Sequence, residues 1–305
     1  MSCDFGFWIA DCGLKVMLKR AIALALLFAF CATGRAQTLF RWKFSPEQTL
    51  QVSFDQTTTT ETTGAGKPKG INIRMQMGMT WKINSVQEDG TAEITQQFDS
   101  LKLSMKSGKA DAIEYDSASE KASTGAAATI AAGVQPLLGA RFKVSMTNRG
   151  VIREVTLPDE TSESLKAIDS ATIKQLFSAE GITKILRQSA IELPEAAVDA
   201  GATWEFESET KTPLGLLKQN HTYKLAGKEE SIDKITIDTQ LELRESPAKL
   251  KLLDQISRGT LLFDSELGRV VRSESIQELT TERPYREFKI KVVTTSTSAM
   301  TITTP

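Results

Sequence analysis

His221 is the only histidine in the 305-residue chain, so any chemistry that needs a group titrating near neutrality would have to pass through it. A Ser-His-Asp triad would depend on this one ring, and a zinc site would need carboxylates for nearly all its ligands. The surrounding pattern points elsewhere. His221, Tyr223 and Leu225 alternate along one face of an expected strand, which predicts a half-buried, hydrogen-bonded structural histidine. The three cysteines, Cys3, Cys12 and Cys31, all precede residue 37. The rest of the chain therefore has no disulfide, no thiolate metal site and no cysteine nucleophile. Glu229-Glu230 resembles a carboxylate pair, but neighbours on a strand point to opposite faces, and a solvated turn is the expected setting. Gly66-Lys67 does not make a phosphate loop, because Glu61 stands where the first glycine belongs and Pro68 where the hydroxyl residue belongs. The motifs G-x-S-x-G and H-E-x-x-H are absent, as is a Cys-His pairing. The expectation is a non-enzyme with no catalytic, metal or cofactor-binding residues and no cofactor.

One stripe could bind rather than react. Ile71, Ile73, Met75, Met77, Met79, Trp81 and Ile83 share a face, against Asn72, Arg74, Gln76, Gly78, Thr80, Lys82 and Asn84 on the other. Methionine adapts to irregular apolar partners, so Met75, Met77, Met79 and Trp81 could line a site for an apolar ligand. The same stripe serves equally as ordinary core between a sheet and a helix, and no ligand-binding residue is assigned.

The elements that must position these residues are mostly strands. The stripe alternates with period two over a long segment, one face buried and one wet, as in an antiparallel sheet. Before it, Leu50, Val52 and Phe54 alternate, and a threonine-rich run through Thr63 continues the strand to a loop at residues 64–70. Glu88-Asp89-Gly90 signals a hairpin turn. On the return strand Ile94 and Phe98 sit on one parity and Leu101, Leu103 and Met105 on the other, which predicts a β-bulge near Asp99-Ser100. Ser117-Ala118-Ser119-Glu120 reads as a capping box opening a short helix that ends before Pro136. Phe142, Val144 and Met146 lead to a hairpin turn at Asn148-Arg149-Gly150.

Helical spacing follows: Leu165, Ile168, Ile173, Leu176 and Phe177, capped by Thr161 or Ser162 and extended by Ile182, Ile185 and Leu186 until Pro194. Strands then resume around Trp204, His221, Ile235, Leu261, Val270 and Phe288, and the end from Thr294 to Pro305 is an edge strand or a frayed tail. The fold class is α+β, mainly antiparallel β-sheet with long strands plus one short and one longer helical segment. The divisions are a leader at 1–36, a β-rich half at 37–160, a helical connector at 161–194 and a β-rich half at 195–305, the last three forming two domains or one.

Lys15, Lys19 and Arg20, the apolar run Ala21–Ala32 and the small residues Gly34 and Ala36 give the order of a secretory signal, cleaved before Gln37. The apolar run falls short of the ~20 residues of a membrane span. The alternatives are an uncleaved anchor or a buried helix. Met17 directly precedes the basic residues and is an alternative start, while Phe30 before Cys31 disfavours lipidation. The leader's four Lys/Arg and two Asp leave 33 basic against 36 acidic residues beyond it, with no basic stripe, so nucleic acid is not an expected partner.

Gly201-Ala202-Thr203-Trp204 after Pro194, Tyr115-Asp116-Ser117, Pro136-Leu137-Leu138-Gly139 and the turn on Gly150 together resemble a family of exported bacterial β-rich proteins of unknown function. The resemblance covers most of the chain beyond the leader. It implies an envelope location, periplasmic or secreted, and brings no catalytic residues. The architecture is similar, by analogy alone, to periplasmic lipoprotein carriers. The expected function is a non-catalytic binding protein for an apolar or lipid-like ligand. The alternative is a structural or protein-interaction module of the cell envelope, partnered by an envelope protein. No transmembrane span is expected beyond the leader.

Overall fold

The threonine run that follows Leu50 does extend a strand, and its partners define the architecture. The computed structural model describes residues 37–64, 68–120, 123–166, 191–212, 215–246 and 249–305. The leader, the loop residues 65–67 and the connector residues 167–190 lie outside the described residues. From Thr38 to Pro305 the chain makes one compact unit. Twelve strands run β1 (Thr49–Thr63), β2 (Lys69–Val86), β3 (Ala92–Ser107), β4 (Ile113–Asp116), β5 (Arg141–Met146), β6 (Ile152–Thr156), β7 (Thr203–Thr212), β8 (Gly215–Glu229), β9 (Ile232–Arg244), β10 (Lys251–Asp264), β11 (Arg269–Tyr285) and β12 (Phe288–Thr303). They form one antiparallel sheet in the order β6-β5-β3-β2-β1-β12-β11-β10-β9-β8-β7, with β4 on the far part of β3.

Two described helices, α1 (Ala126–Val134) and α2 (Asp159–Lys166), accompany the sheet. The class expected from the sequence is thus nearly all β. The capping box is not used: Ser117 Oγ instead accepts from the Leu101 N–H at 2.9 Å, and α1 starts nine residues later behind Gly125. Asp116 captures the Ala118 N–H in the same turn, so short polar side chains are spent tying the chain to β3. The bulge falls where the parity switch placed it: Gly78 faces Ser100 and Met79 faces Phe98, leaving Asp99 unmatched.

The C-terminal Thr/Ser segment is neither an edge nor a tail. β12 lies in the middle of the sheet, paired with β1 on one side and β11 on the other, over thirteen and fourteen residue pairs. Thr57, Thr58, Thr59 and Thr60 oppose Thr297, Ser296, Thr295 and Thr294. Cross-strand hydroxyl pairs of this kind stabilise a sheet, and neither segment would show that need by itself.

The sheet is rolled. In sheet order β5 and β10 are six strands apart, about 29 Å if flat at ~4.8 Å per strand. Yet the Trp42 N–H donates to the Asn148 carbonyl after β5 at 2.7 Å, and the adjacent Lys43 N–H donates to the Gly268 carbonyl after β10 at 2.8 Å. Those two turns are therefore held within about 10 Å of each other. The extended segment Thr38–Phe44 crosses this end of the roll as a plug. Phe40 lies between Trp204 and Phe263, with ring centroids 6.3 and 5.3 Å away, and Trp42 reaches Trp81 at 6.4 Å. The main core draws on most of the strands: Leu50, Ile83, Ile94, Phe142, Ile235, Leu261, Phe263 and Ile302 are all buried around Phe40. Arg41 locks the plug by donating to the carbonyls of Pro194 and Glu195.

Candidate functional site

Alternation puts alternate residues of every strand on the inner face, and that face changes character along the strands. Near the plug it is closed core. Towards the tips of the β1–β2, β7–β8, β9–β10 and β11–β12 hairpins the same parity runs on, but the side chains become half-buried. On β1 the inner series is Leu50, Val52, Phe54, Gln56, Thr58 and Thr60, and only the first two are buried. The facing positions on β12 are Ile302, Met300, Ser298, Ser296 and Thr294.

The centre of this outer half is polar. Gln56 Nε2 donates to Ser296 Oγ at 3.0 Å, Thr58 Oγ1 lies 3.0 Å from the same hydroxyl, and Thr60 and Thr294 lie 3.5 Å apart. These groups satisfy one another, so the strip is polar without carrying charge. Apolar side chains flank it on both sides. On one side stand Ile73, Met75, Met77, Leu101 and Leu103; on the other Leu279, Leu241, Leu243 and Leu217.

The structure divides the methionine stripe among these environments. Ile83 and Met79 belong to the closed core, and Trp81 lies beside it with its ring tilted 40° to that of Trp42. Met77 joins the closed core to a second cluster, in which Met75, Leu101, Leu103 and Tyr115 pack under Ile130, Ala131 and Val134 of α1. Most of the stripe is therefore ordinary packing, its plug end in the closed core and Met75 and Met77 under α1, and these two methionines reach the half-buried inner face. The sequence reading missed Gln56, Thr58, Thr294 and Ser296. The signal available for them was the matching Thr/Ser content of two distant segments, which only a pairing between the chain's first and last strands makes meaningful.

His221 sits where closed and open halves meet. It is part-buried between the rings of Phe206 and Tyr223, each 6.2 Å away, and its Nδ1 lies 2.9 Å from Thr239 Oγ1. Burial pushes its imidazole below the ordinary histidine value. Burial likewise pushes the Tyr223 phenol up to about 12, with Glu192 adding to the shift.

Near this level the sheet also loosens. β9 and β10 pair only over Asp233–Asp238 with Arg258–Phe263. Beyond Asp238 the Gln255 amide stands in for a strand: its Oε1 accepts from the Leu241 N–H at 2.7 Å and its Nε2 donates to the Leu241 carbonyl at 2.9 Å.

A separate recess of about 430 Å³ lies beside β4 and the approach to α1, bordered by Arg74, Gln76, Lys102, Glu114, Asp116 and Thr124. Two of its charges are paired, Lys102 with Asp116 at 2.9 Å and Arg74 with Asp55 at 2.8 Å. The hydrogen bond from Lys102 holds the Asp116 carboxyl below its ordinary range, and that from Arg74 does the same for Asp55. Among the described residues no group of three or more acidic or histidine side chains is placed to hold a metal ion. No helix among them is long and apolar enough to cross a membrane.

The family model for a family of unknown function, DUF6263, matches residues 89–262, from the β2–β3 turn to the last turn of β10. The chain belongs to this family. The match spans α1, His221 and Gln255, whereas β1, β12 and the plug lie outside it. No functionally curated protein matches the sequence. Among solved structures, one of lipovitellin, titled for lipid–protein interactions, superposes with a TM-score of 0.52 at 12% identity. It covers 86% of this chain but only 26% of the lipovitellin chain, so this protein is similar in fold to about a quarter of that molecule. The translocator domain of the autotransporter NalP from Neisseria meningitidis aligns over 93% of the chain at 9% identity, with a TM-score of only 0.18.

Proposed function

We propose that this is an exported, non-catalytic binding protein that holds an apolar or lipid-like molecule on the inner face of its rolled sheet. The observation that carries the reading is the change along that face, from sealed core at the plug to a half-buried band at the hairpin tips. Apolar residues such as Met75, Leu103, Leu243 and Leu279 flank a neutral strip of hydroxyl and amide groups there. Such a band suits a molecule with long apolar parts and few polar ones. The likeness in fold to lipovitellin, a protein studied for its lipid–protein interactions, supports the same ligand class. The matched, ionised carboxylates of the recess suit ion pairing rather than proton transfer near neutrality.

Among the described residues β6 and β7 are the edge strands of the sheet, which favours a second reading, an envelope interaction module that adds a partner's strand at one of them.

The test expresses the whole chain in a bacterial host and recovers it from the periplasm without detergent, beginning at Gln37. Native mass spectrometry is followed by organic extraction and by titration with a fluorescent long-chain fatty acid. The expected result is about one apolar molecule per chain. A Thr58→Arg variant, which places charge in the band and leaves the plug alone, is expected to lose it while unfolding within about 3 °C of the parent. A chain that carries no adduct and takes up no probe would overturn the carrier reading in favour of the interaction module.

A further inference from the structure

The β11–β12 hairpin ends in the two most conspicuous exposed aromatics of the described chain. Tyr285 and Phe288 are register partners flanking a two-residue turn, Arg286-Glu287, and are 42% and 57% exposed. Pairing with β1 ends at Thr63 opposite Lys291, where Gly64 packs against Lys289, and pairing with β10 ends at Lys251 opposite Glu282, so the last three residue pairs of the hairpin run about 10 Å past the stretch paired on both sides, at ~3.3 Å per residue. Large apolar rings at the end of a projecting ribbon are costly to leave in water unless something receives them.

Their surroundings say what. Arg283 and Arg286 each lie over the Tyr285 ring, 5.9 and 5.6 Å from its centroid, so the tip presents guanidinium and ring together. Residues 282–291 carry four Arg/Lys against two Glu, in a chain whose net charge is −1. Lys69 of β2 is exposed at the same end of the sheet. Rings with an apolar body beside cationic heads match the boundary between acyl chains and headgroups of a bilayer, and the local positive balance matches anionic headgroups.

We propose that the β11–β12 tip docks this protein on the surface of an anionic lipid bilayer, inserting Tyr285 and Phe288 at the headgroup level with Arg283 and Arg286 against phosphates. This rests on the carrier reading for its purpose, since the docked tip sets the open end of the inner face against a source of ligand. The docking itself stands on the hairpin's own chemistry.

The test uses the whole chain in co-sedimentation with phosphatidylcholine vesicles, with and without about a third phosphatidylglycerol. Binding is expected to the anionic vesicles and to fall steeply with salt. Both Tyr285→Ser/Phe288→Ser and Arg283→Ser/Arg286→Ser are expected to weaken it about tenfold or more. All four residues are exposed and none belongs to the core, so each double variant is expected to unfold with the parent. Equal vesicle binding by parent and variants, or capture of the parent on neither kind of vesicle, overturns the proposal; the second outcome points to a protein partner for the tip. Fatty-acid titration of the same samples separates the two claims. Vesicle binding without probe uptake leaves docking standing and removes the carrier, while probe uptake without vesicle binding does the reverse.

Discussion

The two ends of the rolled sheet are built from the same strands and do opposite things. At the plug end, the inner parity carries Leu50, Ile83, Ile235, Leu261 and Ile302, all buried, and the turns are tied together by main-chain hydrogen bonds from Trp42 and Lys43. At the tip end the same parity carries Gln56, Thr58, Ser296 and Leu279, half-buried, and β9 parts from β10 with a glutamine amide as the remaining link. The difference teaches that the burial that stabilises the chain and the face proposed to bind are separated along the strand axis. The closed end supplies the apolar burial that folds the chain, which leaves the other end free to carry a face that is neither core nor ordinary surface.

If that division is right, core truncations should be severe at one end only. Phe40 is fully buried and touches both Trp204 and Phe263. Phe40→Ala is expected to cost about 3–5 kcal/mol, read as a fall in the urea midpoint at unchanged slope. Leu279→Ala on the half-buried band is expected to cost about 1 kcal/mol, because a side chain already partly in water gives up less on truncation. Equal losses at both positions would abolish the distinction and make the whole inner face one core.

A backbone version sharpens the same contrast. Gly150 and Gly108 both adopt positive φ, +89° and +58°, so both carry the conformational penalty of an added Cβ. They differ in what surrounds them. A Cβ at Gly150 would lie 2.3 Å from the Ile191 carbonyl oxygen and 3.1 Å from Trp42 Nε1, whereas at Gly108, in the β3–β4 hairpin, nothing lies within 4 Å. Gly108→Ala is expected to cost about 1 kcal/mol, the intrinsic price of the left-handed conformation. Gly150→Ala should cost about 3 kcal/mol, because the plug must also move. Thermal unfolding of the two variants side by side checks it, and a plug that tolerates the methyl group would show as two equal shifts.

What was legible in the sequence follows from how local each signal is. The alternation of Ile71–Ile83, the bulge at Asp99 and the turns at Gly90 and Gly150 are written in consecutive residues, and the structure has them where the pattern put them. The place of β12 could not be read in that way. A Thr/Ser segment looks like an edge when viewed alone, and only its match to Thr57–Thr60, more than two hundred residues away, makes it central. The helix start failed for a related reason, because Ser117 and Asp116 had a non-local or competing backbone partner that the capping pattern does not encode. The candidate site inherits this limit: Met75 and Met77 were visible as a stripe, whereas the polar strip beside them exists only through the β1–β12 pairing, and the projecting tip only through register.

The mildest test lies at the boundary between the two ends, where His221 reports how far water penetrates. Its burial lowers the imidazole below the ordinary value near 6.5, so the unfolded chain takes up the proton first as pH falls. Stability should therefore decline on acidification through about pH 6.5 and stop declining once the folded ring is itself protonated. Asp55 and Asp116 are also held low, by hydrogen bonds from Arg74 and Lys102 that favour the charged form, so their contribution is intact above about pH 4 and is lost only below it. The His221 limb begins near pH 6.5 and the carboxylate limb only below about pH 4. His221→Gln cannot titrate yet can still bond the Thr239 hydroxyl, and it is expected to flatten the upper limb while leaving the lower one in place. Urea midpoints at half-unit steps between pH 7 and pH 3 make the comparison. An unchanged slope near pH 6 in the variant would mean that the ring is wet in the folded chain and that the open half begins closer to the plug than Tyr223. A steeper wild-type slope after loading with fatty acid would place the bound molecule against His221, because an apolar ligand dries the half-buried ring further and makes its protonation harder.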